Sequence, residues 1–195
     1  CRRTVEAVCR YGRVDALFHN AGTTVFASDH SNLDAIDAID FDRIFRVNAT
    51  GAFLMTRAAR SLLEAAPLPG AVVNTSSFAA FSSKGSSIPY AASKGALNAM
   101  TIGLARALAP KIRVNAVCPG FIDSNWFKQL DPSGMDGLRT QIANMVPMRV
   151  ASRPEDIASP AVFLASPAAL HITGETLLAD AGLHLGTNIA RLESE

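Results

Sequence analysis

Four short, almost wholly apolar runs set the limits on how this chain of 195 residues can fold: Val14–His19, Ala71–Thr75, Ile112–Cys118 and Thr176–Asp180. Strands with one face in water alternate apolar and polar side chains; near-continuous apolar runs suit strands covered on both faces, the usual condition of a parallel sheet. Longer segments separate them, and their patterns predict helices over Thr4–Tyr11, Phe41–Ala65, Tyr90–Leu108 and Pro154–Leu164, with a broken stretch from Gly137 to Asn144. Alternating strands and helices predict a parallel α/β architecture in a single domain, residues 1–195. Ser152-x-x-Glu155 reads as a capping box opening the last helix. Pro160, inside that helix, removes a backbone donor and crowds the preceding turn, so a kink or early break is expected there.

Composition removes several function classes. A hydrophobic fraction of 49% supports a packed core, and a formal net charge of +1 with no basic stripe argues against a nucleic-acid partner. Cys1, Cys9 and Cys118 form no C-x-x-C pair, and His19, His30, His171 and His184 are scattered, so no metal site is expected. Reduced thiols suggest a cytoplasmic setting. No apolar run approaches the roughly 18–20 residues needed to span a bilayer, so no membrane association is expected.

The chemistry-bearing pair is Tyr90 and Lys94, four residues apart and therefore on one helix face. A free phenol, with a pKa of about 10, is a poor base at neutral pH, and a nearby cation favours its phenolate. A shift of three units needs about 4 kcal/mol, within reach of one close, partly buried charge helped by a second. By itself the pair could equally be a solvated amphipathic pair. Other motifs accompany it: Asn20-Ala21-Gly22 after the first apolar run, Asn48 in Arg46-Val47-Asn48-Ala49-Thr50-Gly51, Ser76-Ser77 after the second, and Pro119-Gly120-Phe121-Ile122-Asp123-Ser124 after the third. Ser152 to Ala158, Val162 to Ser166 and Ile172 to Gly182 complete the pattern.

In this order and spacing the motifs resemble the short-chain dehydrogenase/reductase family over nearly the whole chain. The resemblance implies a Rossmann-like, doubly wound parallel sheet and an NAD- or NADP-dependent oxidoreductase interconverting an alcohol and a ketone or aldehyde. It implies Tyr90 as general acid/base and Lys94 as the cation that tunes it and bonds the nicotinamide ribose. Ser77 would bond the substrate oxygen, with Ser76 as the structural alternative, and Asn48 would hold a water of the proton relay. Asn20, Ala21 and Gly22 would lie beside the adenine and ribose, with His19 in place of the usual first Asn as a packed turn residue. Pro119, Gly120, Ile122 and Ser124 would pass near the nicotinamide. Residues 125–150 fall where the family has a substrate lid; Trp126, Phe127, Leu130, Met135, Met145 and Met148 would line it, with Gly134 and Gly137 allowing movement. Helices 41–65 and 90–108 would pair subunits into a homodimer or homotetramer.

The family's glycine-rich phosphate turn has no counterpart, since no Gly-x-Gly occurs in the chain. The sequence resembles the family from partway through its cofactor-binding half, lacking the first strand-helix units, and is expected to be a fragment, with a genuinely truncated product as the alternative. Val14–Phe18 would then lie at a sheet edge, and dinucleotide would bind very weakly. Two other functions remain open: a non-catalytic member acting as an oligomerisation module, and an epimerase or dehydratase relative.

Overall fold

The computed structural model describes residues 2–27, 29–127 and 135–186. Four parallel strands, β1 (Ala16–His19), β2 (Gly70–Thr75), β3 (Ile112–Pro119) and β4 (Thr176–Ala179), form one sheet in sequence order. The helices are α1 (Arg2–Cys9), α2 (Ala38–Phe45), α3 (Gly51–Glu64), α4 (Ala79–Ser82), α5 (Ile88–Leu108), α6 (Asp136–Met145) and α7 (Pro154–Ala165). Each apolar run is a strand, within two residues of its expected ends. No helix among the described residues is long and apolar enough to cross a membrane.

The sheet is covered on both faces. On one, Ala59 and Leu63 of α3 and Ala105 of α5 pack on Val72, Ile112 and Val114, with Val5 of α1 and Leu17 at the margin. On the other, Ile157 and Leu164 of α7 pack on Val73, Val117 and Leu177. Every residue of β3 is buried, as is nearly all of β2. β1 pairs only with β2 and lies at the sheet edge, with Phe18 47% exposed.

Three local expectations change. Residues 41–65 are not one α-helix: α2 and α3 are joined by a π-turn, Arg46–Thr50, in which the Gly51 amide donates to the Arg46 carbonyl. π-Turns insert one extra residue per turn and often sit at functional positions; this one carries Asn48. The helix from Pro154 runs unbroken through Pro160 to Ala165. Its buried Ile157 and Leu164 hold it on the sheet on either side of the proline, and the buried Arg113 guanidinium donates to the carbonyls of Leu164, Ala165 and Ser166 at its end. The cap also sits one residue later than expected. Arg153 is the N-cap, its amide donates to Asp156 at 2.7 Å, and Pro154 takes the first turn, where a missing N–H costs nothing.

Candidate active site

Parallel α/β sheets place ligands at the carboxyl ends of their strands, and here those ends open into a cavity of about 650 Å³. One wall is β2 with the start of α5. Ser87 caps α5 by accepting from the Tyr90 amide at 3.4 Å, and Pro89 fills the first turn. Tyr90 and Lys94 then emerge one turn apart on the same face, and both line the cavity with Ser77. Lys94 is 4% exposed, and its Nζ donates to the Thr75 carbonyl at 2.7 Å. It is the one charged side chain lining the cavity among the described residues, and no carboxylate pairs with it there. The two neighbouring serines both line the cavity but differ in their partners: Ser76 is buried and donates to the Lys94 carbonyl at 3.2 Å, whereas Ser77 is half-buried beside the Tyr90 phenol and accepts from the Ala79 amide at 3.1 Å.

Burial governs the titration of this pair. It pushes the Lys94 ammonium down to about 8, with proximity to Cys118 acting weakly the other way. It raises the Tyr90 phenol above its ordinary value, opposed by the Ser77 hydrogen bond. Burial thus raises the Tyr90 phenol, opposite to the lowering expected from Lys94 together with a second positive group. The physical reason is placement: Nζ is bound to Thr75 and sits 5.7 Å from the centre of the phenol ring. Desolvation of the phenolate outweighs a cation at that distance.

A second wall is the turn after β1. Asn20 and Gly22 line the cavity, while Ala21 is exposed outside it. Asn48 lies behind the turn rather than in the cavity and is 2% exposed. Its Oδ1 accepts from the Thr23 amide at 2.8 Å, and its Nδ2 donates to the Thr23 carbonyl at 3.0 Å and to Ser93 Oγ at 2.9 Å. Ser93 in turn donates to the Tyr90 carbonyl at 2.7 Å. The π-turn thus ties the β1 turn to the helix that carries Tyr90. His19 packs in place, with Nε2 3.0 Å from Thr56 Oγ1 and burial pushing its pKa down to about 4.

The third wall follows β3: Pro119, Gly120, Ile122 and Ser124 all line the cavity. A β-carbon on Gly120 would lie 3.0 Å from Asp180 Cβ and 3.1 Å from its Cα, so a larger residue would have to push the ends of β3 and β4 apart by a few tenths of an ångström. Trp126 and Phe127 line the cavity as expected. Met145 and Met148, expected beside them, do not: they are 45% and 68% exposed. Gly137 lies in the first turn of α6, and Leu130 and Gly134 fall outside the described residues. Sequence reasoning missed Ser93 and the inner face of α7, where Pro154, Ile157 and Ala161 complete the lining. The 154, 157, 161 spacing, a single helix face, was the available signal.

A helix-flanked parallel sheet with Ser, Tyr and Lys converging at its strand ends defines the class, and comparison with known proteins fixes it. The family model described as enoyl-(acyl carrier protein) reductase matches residues 1–184. The chain belongs to this family of short-chain dehydrogenase/reductase oxidoreductases. It is 40% identical over 185 residues to a ketoacyl reductase named for the granaticin polyketide synthase of Streptomyces violaceoruber, covering 94% of this chain and 72% of that one. It is 35% identical to NADPH-dependent aldehyde reductase 1 of Arabidopsis thaliana, covering 93% of this chain and 61% of that one. Among solved structures, a short-chain dehydrogenase/reductase from Burkholderia xenovorans matches with a TM-score of 0.85 and 43% identity, covering 95% of this chain and 72% of that one. Ligand-free aldohexose dehydrogenase from Thermoplasma acidophilum matches at 0.88 and 27%, covering 96% of this chain and 75% of that one.

Proposed function

We propose that this cavity reduces a carbonyl, or oxidises the corresponding alcohol, with Tyr90 as proton donor and acceptor. The observation that carries the reading is the convergence of Ser77, Tyr90 and a buried, carboxylate-free Lys94 on one cavity at the strand ends. In the reductive direction Tyr90 gives its proton to the carbonyl oxygen, and Ser77 donates a second hydrogen bond to that oxygen as charge develops on it. The raised phenol pKa keeps the proton in place until the oxygen needs it. Lys94 then stabilises the phenolate left behind. Asn48, its side chain engaged by Thr23 and Ser93, serves as the clamp that holds the β1 turn against α5.

The residues present fit the nicotinamide half of a dinucleotide, either NAD or NADP. The Gly120 floor is closely approached by Asp180, Lys94 offers a buried donor, and Ser124 and Ile122 line the adjoining wall. When bound, the reduced ring supplies a hydride to the carbonyl carbon. The phosphate half has no glycine-rich cradle in this sequence. Gly22 and Asn20 would face the ribose, with Ala21 completing that turn from outside the cavity. Homodimers or homotetramers would form through residues 41–65 and 90–108, where Phe41, Phe53 and Ile102 present exposed apolar surface.

The test is stoichiometric. Reduced nicotinamide cofactor and a ketone, incubated with the protein, should yield one alcohol per cofactor oxidised. Ser77→Ala should lower kcat/KM by about 10²–10³-fold, the usual effect of removing one donor to a developing oxyanion. Full activity in that variant, or cofactor oxidation without alcohol, would overturn the reading.

A further inference from the structure

The cavity wall that follows β3 is a loop, and a loop aims its side chains only as well as its anchors hold it. Ile122 and Ser124 line the cavity, and Asp123 between them does not. Alternation along locally extended backbone accounts for this, since Ile122 forms a parallel bridge with Ser152. The main chain has one anchor here: the Asp123 amide donates to the Ser152 carbonyl at 2.8 Å. The Asp123 side chain has another. Arg139, 16 residues further on in α6, donates from Nε to Oδ2 at 2.7 Å and from Nη2 to Oδ1 at 3.1 Å. Its Nη1 donates to Asp136 in the first turn of α6, so the guanidinium is braced by its own helix. The Asp123 side chain is 23% exposed and that of Asp136 95%, so the pair with Asp123 is the shielded one.

We propose that Arg139 is a positioning residue: by gripping Asp123 on the side away from the cavity, it holds Ile122 and Ser124 in place to receive the nicotinamide. This rests on the cofactor-dependent role proposed above. Arg139 lines no part of the cavity, so it acts through Asp123. An ordinary surface ion pair contributes little, but three features set this one apart. It is bidentate, and two parallel charge-assisted bonds fix the orientation of a carboxylate as well as its distance. It joins segments 16 residues apart, whereas the pairs of Arg13, Arg43 and Arg60 each lie within four residues of sequence. Its carboxylate sits between two cavity-lining neighbours, so a shift of Asp123 carries both of them.

The test is a double-mutant cycle on the whole chain, read by affinity. Reduced nicotinamide mononucleotide is titrated against the wild type, Arg139→Gln, Asp123→Asn and the double variant. Each single substitution should weaken binding about fivefold, and the double variant by about the same factor, because all three remove one tie. Arg139→Lys, which keeps the charge but not the fork, should share most of the loss. In turnover with cyclohexanone, acetophenone and benzaldehyde, the change should fall on KM for the nucleotide, with kcat largely retained. Hydrogen exchange without any ligand should quicken at residues 121–124 in Arg139→Gln and stay unchanged in β2 and β3. Single effects that multiply to about 25-fold in the double variant, wild-type affinity in Arg139→Gln or Arg139→Lys, or faster exchange spread over the sheet would overturn the inference and leave the redox reading intact. The expected cycle with none of the three carbonyl compounds reduced would uphold the inference and overturn the redox reading. A wild type that binds no reduced nicotinamide mononucleotide would overturn both.

Discussion

β1 and β2 are neighbours in one sheet and are built from similar apolar residues, yet they hold their ends of the site by different means. β2 is buried along its length, sandwiched between α3 and α5 on one face and α7 on the other. β1 is an edge, partly exposed throughout, with Phe18 open to solvent. At the end of β2, packing on both faces holds the strand, and short hydrogen bonds (Ser76 to the Lys94 carbonyl, the Ala79 amide to Ser77 Oγ) set the residues that follow it. At the end of β1, side-chain hydrogen bonds do that work: Asn48 grips Thr23 from both sides, and His19 meets Thr56. Ser77 follows the strand with two covered faces, and Tyr90 and Lys94 sit on α5, which packs on the same sheet. The turn proposed to meet the cofactor is clamped by polar groups to an edge.

If packing holds the β2 side, a core deletion there should act hardest. Leu63 is wholly buried against β2 and β3, so Leu63→Ala should lower stability by about 2–5 kcal/mol in denaturant titration. A loss below about 1 kcal/mol would show that this wall is not packed as described. If hydrogen bonds hold the β1 side, Asn48→Ala should destabilise by about 1–3 kcal/mol, because it leaves polar groups around Thr23 and Ser93 unpaired. Its more telling effect should be protease or hydrogen-exchange sensitivity confined to the turn after β1, since uniform loss of protection would assign Asn48 to the core instead.

Lys94 sharpens the comparison through pH. Its folded-state pKa lies near 8, below the ordinary 10.5, so between these values the unfolded chain binds the extra proton and stability should rise with pH. Tyr90, raised above 10.0, begins to oppose this only above that point. Wild-type stability should therefore climb between about pH 8 and 10 by no more than about 1.4 kcal/mol per pH unit, and Lys94→Met should abolish the climb. A flat profile in the wild type, or an identical climb in the variant, would show that Lys94 is not desolvated as described. The smallest effect belongs to the edge. Phe18→Ser should change stability by less than about 0.5 kcal/mol while reducing self-association, measured by sedimentation. A loss of several kcal/mol would mean that Phe18 is covered in solution.

The sheet and the proton-transfer wall were legible because each rests on local pattern. Continuous apolar runs marked the strands, and a four-residue spacing put Tyr90 and Lys94 on one face of α5. Ser77 was separable from Ser76 only by its offset from Tyr90; the structure shows the physical difference, one hydroxyl donating to the Lys94 carbonyl and the other accepting from the Ala79 amide beside the Tyr90 phenol. What was not legible depends on contacts between distant segments. Nothing local signals the π-turn at 46–50, which is fixed by Asn48 reaching Thr23 and Ser93. Pro160 breaks no helix because Ile157 and Leu164, on either side of it, are packed in the core and hold α7 on the sheet. Spacing shows that a cation is near Tyr90 but not how deeply both groups are desolvated, which sets the upward direction of the Tyr90 shift here.

The central claim is that the Tyr90 hydroxyl delivers a proton inside a cavity shared with Ser77 and Lys94. Reduced nicotinamide mononucleotide tests it directly, because it carries the hydride and a single phosphate without the adenylate half of the dinucleotide. Ketone reduction by this chain with that donor should be measurable, and Tyr90→Phe, which keeps the ring and removes the acid, should lower the rate by about 10²–10⁴-fold with ketone binding unchanged. Wild-type turnover retained in Tyr90→Phe would contradict the account.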